Sequence, residues 1–141
     1  MRFPMAWLRD TRGSSAVEFA ILAPVFLLLL TGMLAYGIYF GAAHSLQQLS
    51  ADAARTAMAG LNQSERNQLV TAFLEDHAGN YTLIDPARLS ASVGDRLGDP
   101  DHYQVTLLYD ASELPIWNLY PPLPLPDAQM RYSSTIRRGG I

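Results

Sequence analysis

Residues 12–30 read RGSSAVEFAILAPVFLLLL, an apolar run with a single carboxylate, Glu18, at its lip. A carboxylate carried into an apolar medium without a partner is costly. A segment needed only as an anchor would hold Gln or Ala there at less cost, so Glu18 requires a reason of its own.

The run continues well past Leu30. From Phe19 to Ala43, 25 residues carry no formal charge. As an α-helix they would extend about 37 Å, enough to cross a ~30 Å hydrocarbon layer with tilt. The stretch is longer than a buried core helix needs, and it is apolar on every side. A secretory signal peptide has an apolar region of only about 7–15 residues. Ala35-Tyr36-Gly37 would nevertheless serve as its cleavage site, so that alternative stays open. Arg2, Arg9 and Arg12 precede the run against Asp10 alone, and the first basic residue after it is Arg55. By the positive-inside rule the N-terminus stays in the cytoplasm and the rest faces outward. Beyond His44 there are seven Arg and eleven acids, as suits a solvated acidic domain.

The whole chain has 141 residues and a net charge of −3, room for one domain with an appendage. No basic face supports nucleic-acid binding. All basic residues are Arg, which we read as genome composition. The chain has no cysteine, which excludes disulfides, a thiolate nucleophile and Cys-based metal centres. An exported part must therefore be held by its core or by neighbours.

Within the run, Pro24 removes one helical hydrogen bond and is expected to loosen the helix locally. Gly37, Gly41 and Ser45 recur every four residues, a small-residue stripe along which another helix can approach closely.

Arg12-Gly13, Ser14-Ser15-Ala16-Val17-Glu18-Phe19 and the long apolar helix resemble the processing site of prepilins in the type IV filament superfamily. More narrowly, GSSAVEFAILAPVFLLLL with Gly32 and Tyr36-Gly37 resembles TadE-like minor pseudopilins of the tight-adherence (Flp) pilus system. The likeness covers residues 12–41; the remainder is only generically compatible. It implies cleavage after Gly13 by a membrane prepilin peptidase, with Ser14 as the new N-terminus and Gly13, Ser14, Glu18 and Phe19 as the processing site. It also implies that Glu18 pairs with the α-amino group of a neighbouring subunit. In low dielectric such a pair is strong and selects an axial register between helices. Without a neighbour, Glu18 is an interfacial anion favoured by the helix dipole. The implied partners are other pilins and minor pseudopilins, the inner-membrane platform of the pilus and the lipid bilayer. The protein is then a single-pass inner-membrane protein with a periplasmic C-terminal domain, staying in the membrane or joining the pilus. A permanently anchored, unprocessed extracytoplasmic adaptor is the alternative.

The expected fold is α+β and pilin-like. A cytoplasmic leader (1–13) leads to a transmembrane helix (14–43), its exported continuation (44–60), and a small extracytoplasmic domain (61–141). In the continuation, Leu46, Leu49, Ala53, Ala57 and Met58 share one broad face, and Gly60 is a plausible stop. Asn62 and Glu65 have capping-box spacing. Leu69, Val70, Phe73 and Leu74 form the inner face of a second helix ending at Gly79. Alternation and β-branched or aromatic content predict strands at Tyr81–Ile84, Leu89–Val93, Tyr103–Tyr109 and Met130–Ile136, in a small antiparallel sheet. Turn residues are dense at Asp85-Pro86 and across Gly94–Asp101.

Three features invite a sharper reading. Asp95, Asp99 and Asp101 cluster like calcium ligands but do not match an EF-hand loop, and no metal site is assigned. Pro121–Pro126, following Trp117 and Tyr120, is a stiff extended segment, either a braced loop or a docking surface. Asn62-Gln63-Ser64 and Asn80-Tyr81-Thr82 match glycosylation acceptors, which a bacterial setting makes irrelevant. His44, His77 and His102 are scattered, Glu75-Asp76-His77 reads as a solvated helix end, and no catalytic or cofactor motif is present. No enzymatic activity and no cofactor are expected.

Overall fold

The structure is a computed structural model that describes residues 11–96, 98–119 and 123–137. Met1–Asp10 of the expected leader, and Tyr120–Pro122 of the proline segment, lie outside the described residues. Helix α1 runs over Thr11–Ala57 with Pro24 inside it. The chain divides into two compact units, Met1–Ala35 and Tyr36–Ile141.

In the first unit the helix is apolar all round. Phe19, Ile21, Leu22, Val25, Phe26 and Met33 are all exposed, as a water-soluble helix would not tolerate on so many faces. Length and composition suffice to cross a membrane. Thr31 Oγ1 donates back to the Leu27 and Leu28 carbonyls, a way for a hydroxyl to satisfy itself in an apolar helix.

The second unit begins with the rest of α1, followed by α2 (Gln63–His77), short 3₁₀ turns at Ala78–Asn80 and Pro86–Arg88, and three strands. Asn62 caps α2, its Oδ1 accepting from Glu65 N–H at 2.9 Å, while Glu65 Oε2 accepts from Leu61 N–H at 2.8 Å. This is the expected capping box, with the glutamate reaching one residue further back than usual. Val70 and Leu74 are buried, whereas Leu69 and Phe73 are half-buried.

Strands β1 (Leu89–Arg96), β2 (Asp99–Asp110) and β3 (Gln129–Arg137) form an antiparallel sheet in that order. The β1–β2 hairpin is tight: its register shifts between Asp95 and Arg96, and Gly98 takes φ +83°, where a side chain would be strained. The strands thus continue through most of the stretch read as turn. Alternation places Tyr103, Val105, Leu107 and Tyr109 of β2 inward, all buried, with Met130 of β3 beside Tyr109. Leu46, Leu49, Ala53 and Ala57 of α1 are fully buried, and Ser50 Oγ lies 3.0 Å from Ser134 Oγ of β3. These buried helix and strand residues make up the core of the second unit.

The strand expected at Tyr81–Ile84 is not formed. Its backbone is spent on a turn, Ile84 N–H donating to the Tyr81 carbonyl at 3.2 Å, and Leu83 adopts φ +65°. A left-handed leucine costs about 1–2 kcal/mol. Three contacts hold it. Tyr81 Oη donates to Asp52 Oδ2 at 2.7 Å. Tyr109 Oη donates to the Leu83 carbonyl at 3.0 Å and accepts from Asp85 N–H at 3.2 Å. The alternation that suggested a strand instead reflects a segment anchored at both ends.

Candidate assembly site

Gly13 and Ser14 lie in the helical backbone of α1, and the Ser14 side chain lies outside the described residues. Nothing approaches within 4 Å of where a Cβ on Gly13 would stand. A peptidase acting between these residues must unwind helix locally, which Gly13 eases by about 1 kcal/mol relative to Ala. Glu18 follows Ser14 by four residues, one turn on, so the two share a helix face. Glu18 is exposed and Phe19 is 72% exposed. The arrangement is thus an anion on the outside of an apolar helix, one turn from the expected new amine.

The small-residue stripe meets different surroundings along its length. Gly37 is exposed with open space around it. A Cβ on Gly41 would stand 3.3 Å from Leu83 Cδ1, and Ser45 is buried near His77, Asn80 and Tyr81. The chain's own strained turn therefore covers Gly41 and Ser45, and Gly37 is the position left open.

Other contacts carry no obvious sequence signal. Tyr36 Oη donates to the Pro124 carbonyl, and Tyr39 Oη to the Asp127 carbonyl at 3.1 Å. Trp117 Nε1–H donates to the Ala111 carbonyl at 2.6 Å, and Ala111 N–H to the Ala128 carbonyl at 2.8 Å. Two tyrosines three apart at the end of an apolar run were the available hint.

Arg88 bridges Asp110 at 3.3 Å and Glu113 at 2.9 Å. Asp110 is held below the usual carboxylate range, chiefly by hydrogen bonding from Ser112. Burial, reinforced by the bond to Asp52, pushes the Tyr81 phenol up to about 12. Burial also raises Tyr103, whose hydroxyl donates to Asn67 Oδ1 at 3.2 Å and whose ring faces the Arg66 guanidinium at 5.6 Å. Asp99 accepts from Asp101 N–H and stands 2.7 Å from His102 Nδ1. Among the described residues no three His, Asp or Glu side chains come together as a metal-holding group.

Residues 13–55 match the family model described as TadE-like protein, so the match opens on Gly13 and spans the apolar helix. No curated protein and no solved structure matches the chain.

Proposed function

We propose that this chain, whose residues 13–55 match the TadE-like family model, is a non-catalytic minor pseudopilin that takes part in assembly of a Tad pilus. A prepilin peptidase of the inner membrane cuts after Gly13, and Ser14 supplies the mature amine. The helix waits in the membrane, N-terminus inward, with the second unit in the periplasm. Glu18 then pairs with the amine of an adjacent pilin and sets the register in which helices join.

The observation that carries this reading is Glu18, exposed on an otherwise apolar helix one turn after Ser14, within the matched region. A helix that met lipid alone would bear the full cost of burying the charge, whereas a neighbouring ammonium would offset part of it. The second unit suggests where the span ends. Tyr36 and Tyr39 are already tied to its loop, and Ala42, Ala43 and Leu46 are in its core. Residues 15–35 alone measure about 31 Å as a helix, the thickness of the hydrocarbon layer.

N-terminal sequencing of the membrane-extracted protein tests the processing step. The wild-type chain should begin at Ser14, and Gly13→Ala, which adds bulk beside the cut bond, should accumulate a form larger by the thirteen-residue leader. A mature chain beginning at Met1 would leave the unprocessed adaptor as the reading, and one beginning just after Ala35 a secreted domain.

A further inference from the structure

β3 is an edge strand, because the sheet runs β1-β2-β3. Which of its backbone groups point away from β2 follows from two hydrogen bonds. Ala111 N–H donates to the Ala128 carbonyl at 2.8 Å, so residues 111 and 128 form a hydrogen-bonded pair. In an antiparallel ladder such pairs recur at every second residue. The β2–β3 register is unbroken from Asp110 opposite Gln129 to His102 opposite Arg137. Met130, Tyr132, Ser134 and Ile136 therefore bond to β2, and Arg131, Ser133, Thr135 and Arg137 turn both N–H and C=O outward. Gln129 has the same parity, and its N–H accordingly donates to Asp127 Oδ1 instead of to the ladder. Among the described residues, nothing bonds to the outward backbone groups of Arg131, Ser133, Thr135 or Arg137.

The opposite edge is protected. β1 carries a register shift between Asp95 and Arg96, and Leu89 N–H donates to the Pro86 carbonyl of the preceding 3₁₀ turn. α2 lies beside it, Thr71, Leu74 and Glu75 lining a cleft with Leu89 and Ala91. Bulges and covering elements are the usual means of blunting an edge. β3 instead runs nine residues without a proline or a register shift. Its side chains are sorted by face: Arg131, Ser133, Thr135 and Arg137 are exposed, whereas Tyr132, Ser134 and Ile136 are half-buried on the inner side. Other arginines of this unit are engaged, Arg55 with Asp52, Arg88 with Asp110 and Glu113, and Arg66 over the Tyr103 ring. Arg131 and Arg137 have no ion pair among the described residues. They stand about 20 Å apart along the strand. A second copy of β3 would bring the same two cations to the edge, so charge opposes self-pairing and favours an acidic strand.

We propose that the outer edge of β3 receives an extended acidic segment of another polypeptide as a fourth, antiparallel strand. The incoming backbone pairs with Arg131, Ser133, Thr135 and Arg137, which supplies affinity. Two carboxylates six residues apart stand opposite Arg131 and Arg137 and select the partner. Apolar side chains at the alternate positions cover Tyr132 and Ile136. This surface is separate from Glu18 and does not depend on processing at Gly13.

The probe is a capped heptapeptide, Asp-Val-Thr-Val-Thr-Val-Asp, bearing fluorescein on a glycine spacer. It is titrated with the full-length protein in detergent micelles, with empty micelles as the blank, and read by anisotropy. Saturable binding is expected. A peptide with Lys for both Asp should bind about 10-fold more weakly or worse, as should the parent peptide to the Arg131→Glu, Arg137→Glu double variant. Backbone pairing is tested separately. N-methylation of the two threonines, whose N–H groups would face β3, should abolish binding, whereas N-methylation of the central valine, facing away, should leave it intact. Ser133→Pro removes an outward N–H, which an edge strand tolerates, so the melting curve should be little changed while binding is lost. Absent binding to the wild-type chain, or equal binding by the threonine-methylated peptide, overturns the proposal. A wild-type dimer in sedimentation that dissociates in Ser133→Pro would assign the edge to a second copy and overturn the acidic partner.

Discussion

Glu18 and Tyr81 are the side chains on which most can be tested. Glu18→Gln keeps size and helix propensity while deleting the charge. Membrane insertion should be preserved or slightly improved, and cleavage after Gly13 should continue, because the cut bond is more than a turn away. Assembly should fail, since truncating one partner of a buried charge pair costs about 3–5 kcal/mol. Wild-type piliation in that variant would show Glu18 to be a helix-end anion without a partner. Tyr81 makes a prediction about pH. An unfolded tyrosine ionises near 10, whereas burial and Asp52 raise Tyr81 in the folded chain to about 12. The folded state therefore holds a proton that the unfolded state releases. The stabilisation is complete below pH ~10 and is lost as pH climbs toward ~12, with Tyr103 acting in the same direction. Tyr81→Phe should lose about 1 kcal/mol at neutral pH and show a shallower alkaline decline in urea denaturation. An unchanged slope would mean that the phenol is not the titrating group.

Among the elements, α1 with its glycines offers a paired comparison. Gly41→Leu should drive into Leu83 and destabilise the strained turn by about 1–3 kcal/mol, lowering the melting temperature of the second unit. Gly37→Leu meets open space, so the fold should be intact. If crosslinking to the proposed pilin partners drops in the Gly37 variant alone, the open end of the stripe is the part that faces a partner helix. Undiminished crosslinking would assign it to lipid. The long helix, the capped second helix and three strands were legible because each is written in local chemistry. A charge-free run, an Asn62–Glu65 cap and period-two alternation need no distant partner to be read. Tyr81–Ile84 was misread for the opposite reason. What turns its backbone is the phenol of Tyr109 and the carboxylate of Asp52, residues far along the chain, and leucine carries no sign that it will take a positive φ. The candidate site divides in the same way. The placing of Gly13, Ser14 and Glu18 along one helix follows from their spacing, whereas the covering of Gly41 by Leu83 and the Tyr36 and Tyr39 bonds to Pro124 and Asp127 depend on tertiary contacts.

For the molecule as a whole, the division after Ala35 predicts that the second unit is self-sufficient. A chain of residues 36–141 should be soluble and melt cooperatively, because every buried core residue but Ala35 lies within it. Circular dichroism showing a molten, non-cooperative chain would mean that the core needs residues before Tyr36 or a second chain. Without disulfides, nothing covalent reinforces that core. The same helix that carries Glu18 also supplies Leu46, Leu49, Ser50 and Ala53 to the core, with no linker interposed along α1. A tug that reaches residues 42–57 is consequently a load on a core element of the second unit rather than on a tether. Drawing that part of α1 away would strip Leu46, Leu49 and Ala53 from the core, so the second unit moves as a folded whole or unfolds.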